Sequence, residues 1–212
     1  VNQLRRGGFI AFEGGDGAGK TTQLSLLESW FVERGVPYER TREPGGTPIG
    51  ERIRSLVLEH GQGEVDPRTE ALLFAASRAA HVVQRIRPAL ESGRFVLCDR
   101  YVDSSVAYQG EGRQIGTEAV ADVNVFATGG LQPDLTVLLD LEPAAARARR
   151  EGREGTSDRI ESAEDAFHER LRAAFLARAE AEPERYLVLA ADGAPEGLQK
   201  QIRARVEELL SA

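Results

Sequence analysis

Cysteine, lysine and histidine are scarce in this chain, and methionine is absent. Cys98 is the only cysteine, so no disulfide can form within the chain; that suits a reducing compartment, most simply the cytosol. It sits in an apolar run and reads as an inert core residue. His60, His81 and His168 are scattered without metal-ligand spacing and read as structural or surface residues. No Ser/His/Asp or Cys/His arrangement stands out, which argues against a hydrolase built on such a nucleophile. No apolar run approaches the roughly 20 residues that span a bilayer, so no membrane association is expected. Val1 to Gly8 carries two arginines but no apolar stretch behind them, and does not read as a signal peptide. A net charge of −7 argues against bulk nucleic-acid binding.

What is present is an ordinary globular composition. The chain has 212 residues, 41% of them hydrophobic and 29% charged, which fits one compact domain over residues 1–212. Only Lys20 and Lys200 are lysine; the other 25 basic residues are arginine. A lysine at any one position is therefore unusual here.

Short β-rich runs alternate with helical patterns. Strands are expected at Phe9 to Glu13, Val36 to Arg42, Arg94 to Cys98, Asp134 to Leu141 and Tyr186 to Ala190. Leu24, Leu27 and Phe31 are spaced as one helix face within Thr21 to Arg34, and Gly35 stops that helix. Helices are also expected from Ile49 to His60, from Asp66-Pro67 to about Ser92 and from Pro195 to Leu210. Pro88 is expected to kink or end the second of these. The Gly-bearing, charged stretch Glu151 to Ser157 lacks an apolar face and reads as a loop. This alternation predicts an α/β fold with a five-stranded parallel sheet flanked by helices on both faces. Right-handed crossovers and ligand binding at the carboxyl ends of the strands follow from it.

Gly14-Gly15-Asp16-Gly17-Ala18-Gly19-Lys20-Thr21 matches G-x-x-x-x-G-K-[ST] between the first strand and the first helix. Its glycines let the backbone turn its N–H groups inward, and the helix start adds positive partial charge. The run from Gly14 to Thr22 is therefore expected to hold the phosphates of ATP, with Lys20 on the β- and γ-phosphates and Thr21 on Mg²⁺. Asp99-Arg100-Tyr101 ends the third strand and should emerge near this loop, Asp99 toward Mg²⁺ and Arg100 toward a phosphate. A buried Asp–Arg pair capping the strand is the other reading. Arg42-Glu43-Pro44-Gly45-Gly46-Thr47 ends the second strand, either as a simple turn or as part of the site.

The combination is more specific than its parts. The phosphate loop with Asp16, Thr41-Arg42-Glu43-Pro44-Gly45-Gly46-Thr47, Asp99-Arg100-Tyr101 ahead of Ala107-Tyr108-Gln109-Gly110, Pro133-Asp134-Leu135-Thr136 and Asp158-Arg159-Ile160-Glu161 resembles bacterial thymidylate kinases. The resemblance runs from about Phe9 to the C-terminal helix and implies a three-layer P-loop kinase fold. It implies transfer of a phosphoryl group from ATP to dTMP with Mg²⁺, in a homodimer. It implies that Phe74 stacks on thymine, that Arg78 hydrogen-bonds the base and that Ser105 lies near it. It also implies that Tyr108, with Gln109 beside it, blocks a 2′-hydroxyl, that Asp16 meets the 3′-hydroxyl and that Arg100 binds the monophosphate. Pro44 would wall the base pocket. The four-residue spacing of Phe74 and Arg78 puts both on one helix face, although core packing and a solvated arginine would look the same. Asp16, Glu43 and Asp99 are the carboxylates that are candidates to lie closest to Mg²⁺, with Glu43 and Asp99 the expected metal-site residues beside Thr21.

Some family members carry a catalytic arginine inside the phosphate loop, at the position of Gly17 here. Members with glycine there use arginines of a lid instead. The lid is expected at about residues 147–159, where Arg147, Arg149, Arg150, Arg153 and Arg159 cluster, and Arg149 and Arg153 are its expected catalytic arginines, joining Lys20, Arg100 and Asp16 in the expected catalytic set. Composition alone would read the cluster as a solvated face. A kinase for a deoxynucleoside or another nucleoside monophosphate, and a nonenzymatic nucleotide switch, are the competing functional readings.

Overall fold

A computed structural model describes residues 7–151 and 165–211. Five parallel strands form one sheet in the order β2-β3-β1-β4-β5, with β1 Phe9–Glu13, β2 Tyr38–Arg42, β3 Phe95–Asp99, β4 Leu135–Asp140 and β5 Tyr186–Ala190. This is the expected α/β architecture. Every residue of β1 is buried, as a central parallel strand covered on both faces requires. The strand period of two sends Ile10 and Phe12 to one face and Phe9 and Ala11 to the other.

On the first face, Ile10 and Phe12 pack with Leu24, Leu27 and Phe31 of α1 (Lys20–Arg34) and with Ile202 and Val206 of α9 (Pro195–Ser211). On the second face, Phe9 and Ala11 meet Val82, Ile86 and Leu90. Each fully buried Leu, Ile or Phe side chain here contributes roughly 1.5–3 kcal/mol relative to exposure. Helix α1 stops where the sequence says. Gly35 turns left-handed at φ 66°, and the N–H of Val36 closes on the carbonyl of Phe31 at 2.9 Å.

α2 (Pro48–Leu58) and α3 (Pro67–His81) begin with side-chain caps and a proline in the first turn. Thr47 accepts from the Gly50 N–H, and Asp66 from those of Arg68 and Thr69. The helical path from Pro67 does reach Glu91, near the expected end, but not with one geometry. Wide π-type turns occupy Val82–Ile86 before α4 (Arg87–Glu91). Pro88 lacks an N–H and crowds the carbonyl four residues back, and the widened turns relieve that conflict without ending the helix.

After β3, the four-residue α5 (Val102–Ser105) continues into a second π-type stretch, Val106–Gly112. α6 (Thr117–Thr128) follows, then α7 (Pro143–Glu151) after β4 and α8 (Asp165–Ala181) before β5. Glu151, expected in a loop, is the last residue of α7; residues 152–157 of that expected loop lie outside the described residues.

Candidate active site

The phosphate loop joins the end of β1 to α1, at the carboxyl edge of the sheet. Gly14 has φ 128°, and a Cβ there would lie 2.4 Å from the carbonyl oxygen of Leu139, so β4 leaves room only for hydrogen. Gly19 caps α1 in the left-handed region at φ 98°. The buried Lys20 donates through Nζ to the carbonyls of Gly14 and Gly15, both at 2.9 Å. Burial lowers its pKa to about 8, Arg100 adding to the effect and Asp16, Asp99 and Glu13 opposing it. Ala18 is buried, and its N–H bonds to the Gly15 carbonyl at 3.3 Å.

A cavity of about 220 Å³ opens beside this loop. Asp16, Gly17, Gly19, Lys20, Thr21 and Thr22 line one side. Pro44, Phe74, Arg78, Asp99, Arg100, Ser105, Tyr108 and Gln109 line the rest, so residues expected from separate motifs meet in one place. Gly14, Gly15 and Ala18 of the loop are not on this wall; Gly14 and Gly15 line a smaller cavity beside β4 and α8 instead. Arg42 and Arg54 also line the cavity, and the sequence reading did not single them out as site residues. Arg54 donates to the Pro44 carbonyl at 3.0 Å, and the Glu43–Pro44 peptide is cis.

Arg100 follows β3 with φ 67°, a left-handed conformation uncommon for a residue with a side chain. Its guanidinium donates to the Gly14 carbonyl at 3.1 Å, to Ser104 Oγ at 3.0 Å, to Tyr108 Oη at 3.1 Å and to Asp16. It also lies over the Tyr108 ring, 5.0 Å from the centroid. The Tyr108 hydroxyl donates to Asp16 Oδ2 at 2.9 Å. Burial would raise the Asp16 carboxyl, but Arg100 and Lys20 hold it well below the usual carboxylate range. Arg100 is therefore ion-paired with Asp16 and not with its neighbour Asp99. Asp99 makes no side-chain hydrogen bond among the described residues.

Arg78 is only 1% exposed, yet it touches the cavity. Nε donates to Glu43 Oε2 at 2.6 Å, Nη1 to Ser105 Oγ at 3.0 Å and to Asn124, and Nη2 to the Tyr101 carbonyl at 3.0 Å. Four of its five donors are thus committed within the protein. Glu43 is correspondingly taken. Its other oxygen meets Nδ1 of the buried His81 at 2.8 Å, and His81 Nε2 lies 2.6 Å from Thr41 Oγ1. Glu43, expected near Mg²⁺, also lines the cavity, and each of its carboxylate oxygens already has one partner, Arg78 or His81. That arrangement makes His81 a support behind the site, and makes the Glu43-Pro44 turn more than a simple connection.

The sequence reading missed Glu13. It is the one charged residue in the otherwise apolar, buried β1, and that placement was the available signal. Its carboxylate accepts from the N–H of Tyr101 at 2.7 Å, the N–H of Ser104 at 3.2 Å and Ser104 Oγ at 2.6 Å. It thereby caps α5 from a neighbouring strand and fixes the backbone that follows Arg100. Burial, with nearby Asp103, raises its pKa from 4.5 to about 7. A carboxyl raised in the folded state stabilises most below its unfolded pKa, and that contribution is lost as pH climbs to about 7. Wild-type unfolding free energy should therefore drop between pH 5 and 8 by on the order of 2 kcal/mol more than that of Glu13→Gln. Urea titrations of both proteins check this, and parallel pH profiles would refute it.

Helix α7 places Arg149 against the loop from outside the cavity. Its Nη1 lies 3.5 Å from the Gly17 carbonyl, and Nη2 donates to the Ala191 carbonyl at 2.9 Å. Arg153, Arg159 and the motif at 158–161 lie outside the described residues. Thr21 and Asp99 both line the cavity. Among the described residues no three His, Cys, Asp or Glu side chains cluster as a metal cage. That donor set fits Mg²⁺, which commonly takes one or two protein ligands and completes its shell with phosphates and water.

A phosphate loop at the carboxyl edge of a parallel sheet, facing a second wall of aromatic and arginine side chains, defines a P-loop nucleotide kinase. Residues 12–202 match the family description "Thymidylate kinase". Similar relatives include the thymidylate kinases of Clavibacter sepedonicus, 52% identical over 97% of both chains, and of Deinococcus radiodurans, 49% identical over 97% of this chain and 98% of the relative. That of Cutibacterium acnes is 49% identical over the same shares. The chain belongs to the thymidylate kinase family.

Proposed function

We propose that the protein transfers the γ-phosphoryl group of ATP to the 5′-phosphate of dTMP, giving dTDP and ADP, with Mg²⁺. The observation that carries this reading is the single cavity shared by the phosphate loop and by the wall of Phe74, Arg78 and Arg100. Both substrates can then lie end to end, which is the main demand of phosphoryl transfer.

The Gly14–Thr22 segment holds the ATP phosphates, and Lys20 exchanges its loop carbonyls for phosphate oxygens. Thr21, with Asp99 nearby, would hold Mg²⁺, which would supply neutralisation of charge on the transferring group. Arg100 binds the acceptor phosphate and Asp16 the 3′-hydroxyl. Tyr108, locked between Arg100 and Asp16, fills the place a 2′-hydroxyl would need. Phe74 stacks on the base, Pro44 walls it, Ser105 steadies Arg78, and Gln109 and the remaining donor of Arg78 read its polar edge. Arg149, beside Gly17, and Arg153 clamp the transferring phosphoryl from a lid at about 147–159 of an otherwise single domain.

The protein acts in the cytosol as a homodimer, without nucleic acid. No helix among the described residues is long and apolar enough to cross a membrane. Phe126 is 91% exposed, and Val125, Leu72 and Val83 are exposed on the same packed pair of helical runs, α6 and α3–α4; these supply an apolar face for a second copy.

An ADP-release assay with ATP and Mg²⁺ tests the reading. Addition of dTMP should stimulate release strongly, dCMP and thymidine weakly, and the active species should sediment at twice the 23.1 kDa chain mass. No stimulation by dTMP would point to a nucleotide switch. Equal turnover of dCMP or thymidine would point to a different kinase, and a monomer to a different use of the apolar face.

A further inference from the structure

Glu70, Phe74 and Arg78 recur every fourth residue along α3, so they form one stripe on one face. Phe74 and Arg78 reach the cavity; Glu70 stands one turn before them and is 1% exposed. Its Oε1 accepts from Gln109 Nε2 at 3.0 Å and from Arg113 Nε at 3.2 Å, and its Oε2 from Arg113 Nη2 at 3.3 Å. Gln109 lines the cavity and is itself 1% exposed, and its Oε1 is buried without any hydrogen-bond partner. An orphaned buried acceptor costs about 1–3 kcal/mol, so it marks a place where a ligand donor is expected.

The orientation of that amide is not free. An ionised carboxylate only accepts, so Gln109 must turn its NH₂ toward Glu70. A flipped amide would set its oxygen against the Glu70 oxygen and leave the NH₂ at the cavity. Arg113 holds the carboxylate in place through both oxygens, sharing Oε1 with Gln109.

We propose that Glu70 is a positioning residue for base selection: by fixing the Gln109 amide it presents an acceptor to pyrimidines that carry N3–H. Thymine and uracil have that hydrogen. Cytosine has a bare N3 lone pair, which would face another acceptor. This inference rests on the reading of the site as a dTMP pocket.

The test compares wild type, Glu70→Gln, Gln109→Ala and the exchange variant Glu70→Gln with Gln109→Glu, using dTMP and dCMP as acceptors. Glutamine at 70 can donate or accept, so the amide at 109 loses its single orientation. Glu70→Gln should lower the dTMP/dCMP ratio of kcat/KM about tenfold, through a higher dTMP KM with kcat nearly unchanged. The exchange variant keeps a donor and an acceptor facing each other and an acceptor at the cavity, so it should restore the ratio. An unchanged ratio in Glu70→Gln, or equal losses on both acceptors, overturns the proposal. If Glu70→Gln does not fold, the exchange variant decides: a kept ratio there, with loss in Gln109→Ala, supports the lock, and a lost ratio sinks it. A wild type inactive on dTMP instead refutes the site reading and is recognised as such before any variant is compared.

Discussion

Arg100→Met should lower kcat for dTMP by about a thousandfold or more, because an arginine that stabilises transferring charge is worth several powers of ten. The loss should fall on phosphoryl transfer rather than ATP binding. Arg100 is carried by β3 and the phosphate loop by β1 and α1, and only the guanidinium reaches across to the loop, at Gly14 and Asp16. Its geometry is prepared in advance. The left-handed backbone is held by Glu13 through Tyr101 and Ser104, and the guanidinium by the Gly14 carbonyl and Asp16. Such preparation costs nothing at the moment of reaction, so Arg100→Lys should recover little despite keeping the charge. Lysine has neither the planar fork nor the reach to satisfy these partners together. Steady-state kinetics with ATP affinity measured separately check both expectations, and a loss under about tenfold for Arg100→Met would remove Arg100 from the transfer step.

How much of this site could be read from the chain depended on distance along it. The phosphate loop was legible because its glycines, lysine and threonine are consecutive and sit between a strand and a helix. β5 was legible to the residue, and Gly35 marked the end of α1 because only a residue without Cβ enters that conformation cheaply. The spacing of Phe74 and Arg78 put them on one face. What that face met was not legible, since Glu43, the Tyr101–Ser105 segment and Asn124 approach Arg78 from three other parts of the chain. For the same reason the partners that Glu43 finds in Arg78 and His81 could not be foreseen. Glu13 and Glu70 each left one local sign, a carboxylate at a buried position of a regular element, and nothing nearby said which donor would satisfy it. The π-type turns at Val82–Ile86 and Val106–Gly112 were hidden because a few widened turns barely alter an apolar period.

These long-range pairings also separate stability from catalysis at the base wall. Arg78→Met should cost about 3–5 kcal/mol, since it leaves Glu43 buried with only His81 opposite it. In a chain of 212 residues that corresponds to a fall in Tm of roughly 10 °C. The same change removes the donor proposed for the base, so dTMP turnover should drop as well, and either loss alone could be blamed on the other. Adding Glu43→Gln to Arg78→Met breaks the tie. The amide needs no counter-charge and can still bond His81, so the double variant should recover much of the lost Tm. It restores no donor at the cavity, and dTMP kcat/KM should stay as low as in Arg78→Met. Thermal unfolding and acceptor kinetics on the three proteins give the answer. If activity returned together with Tm, Arg78 would be a strut for the wall and not a contact to the base.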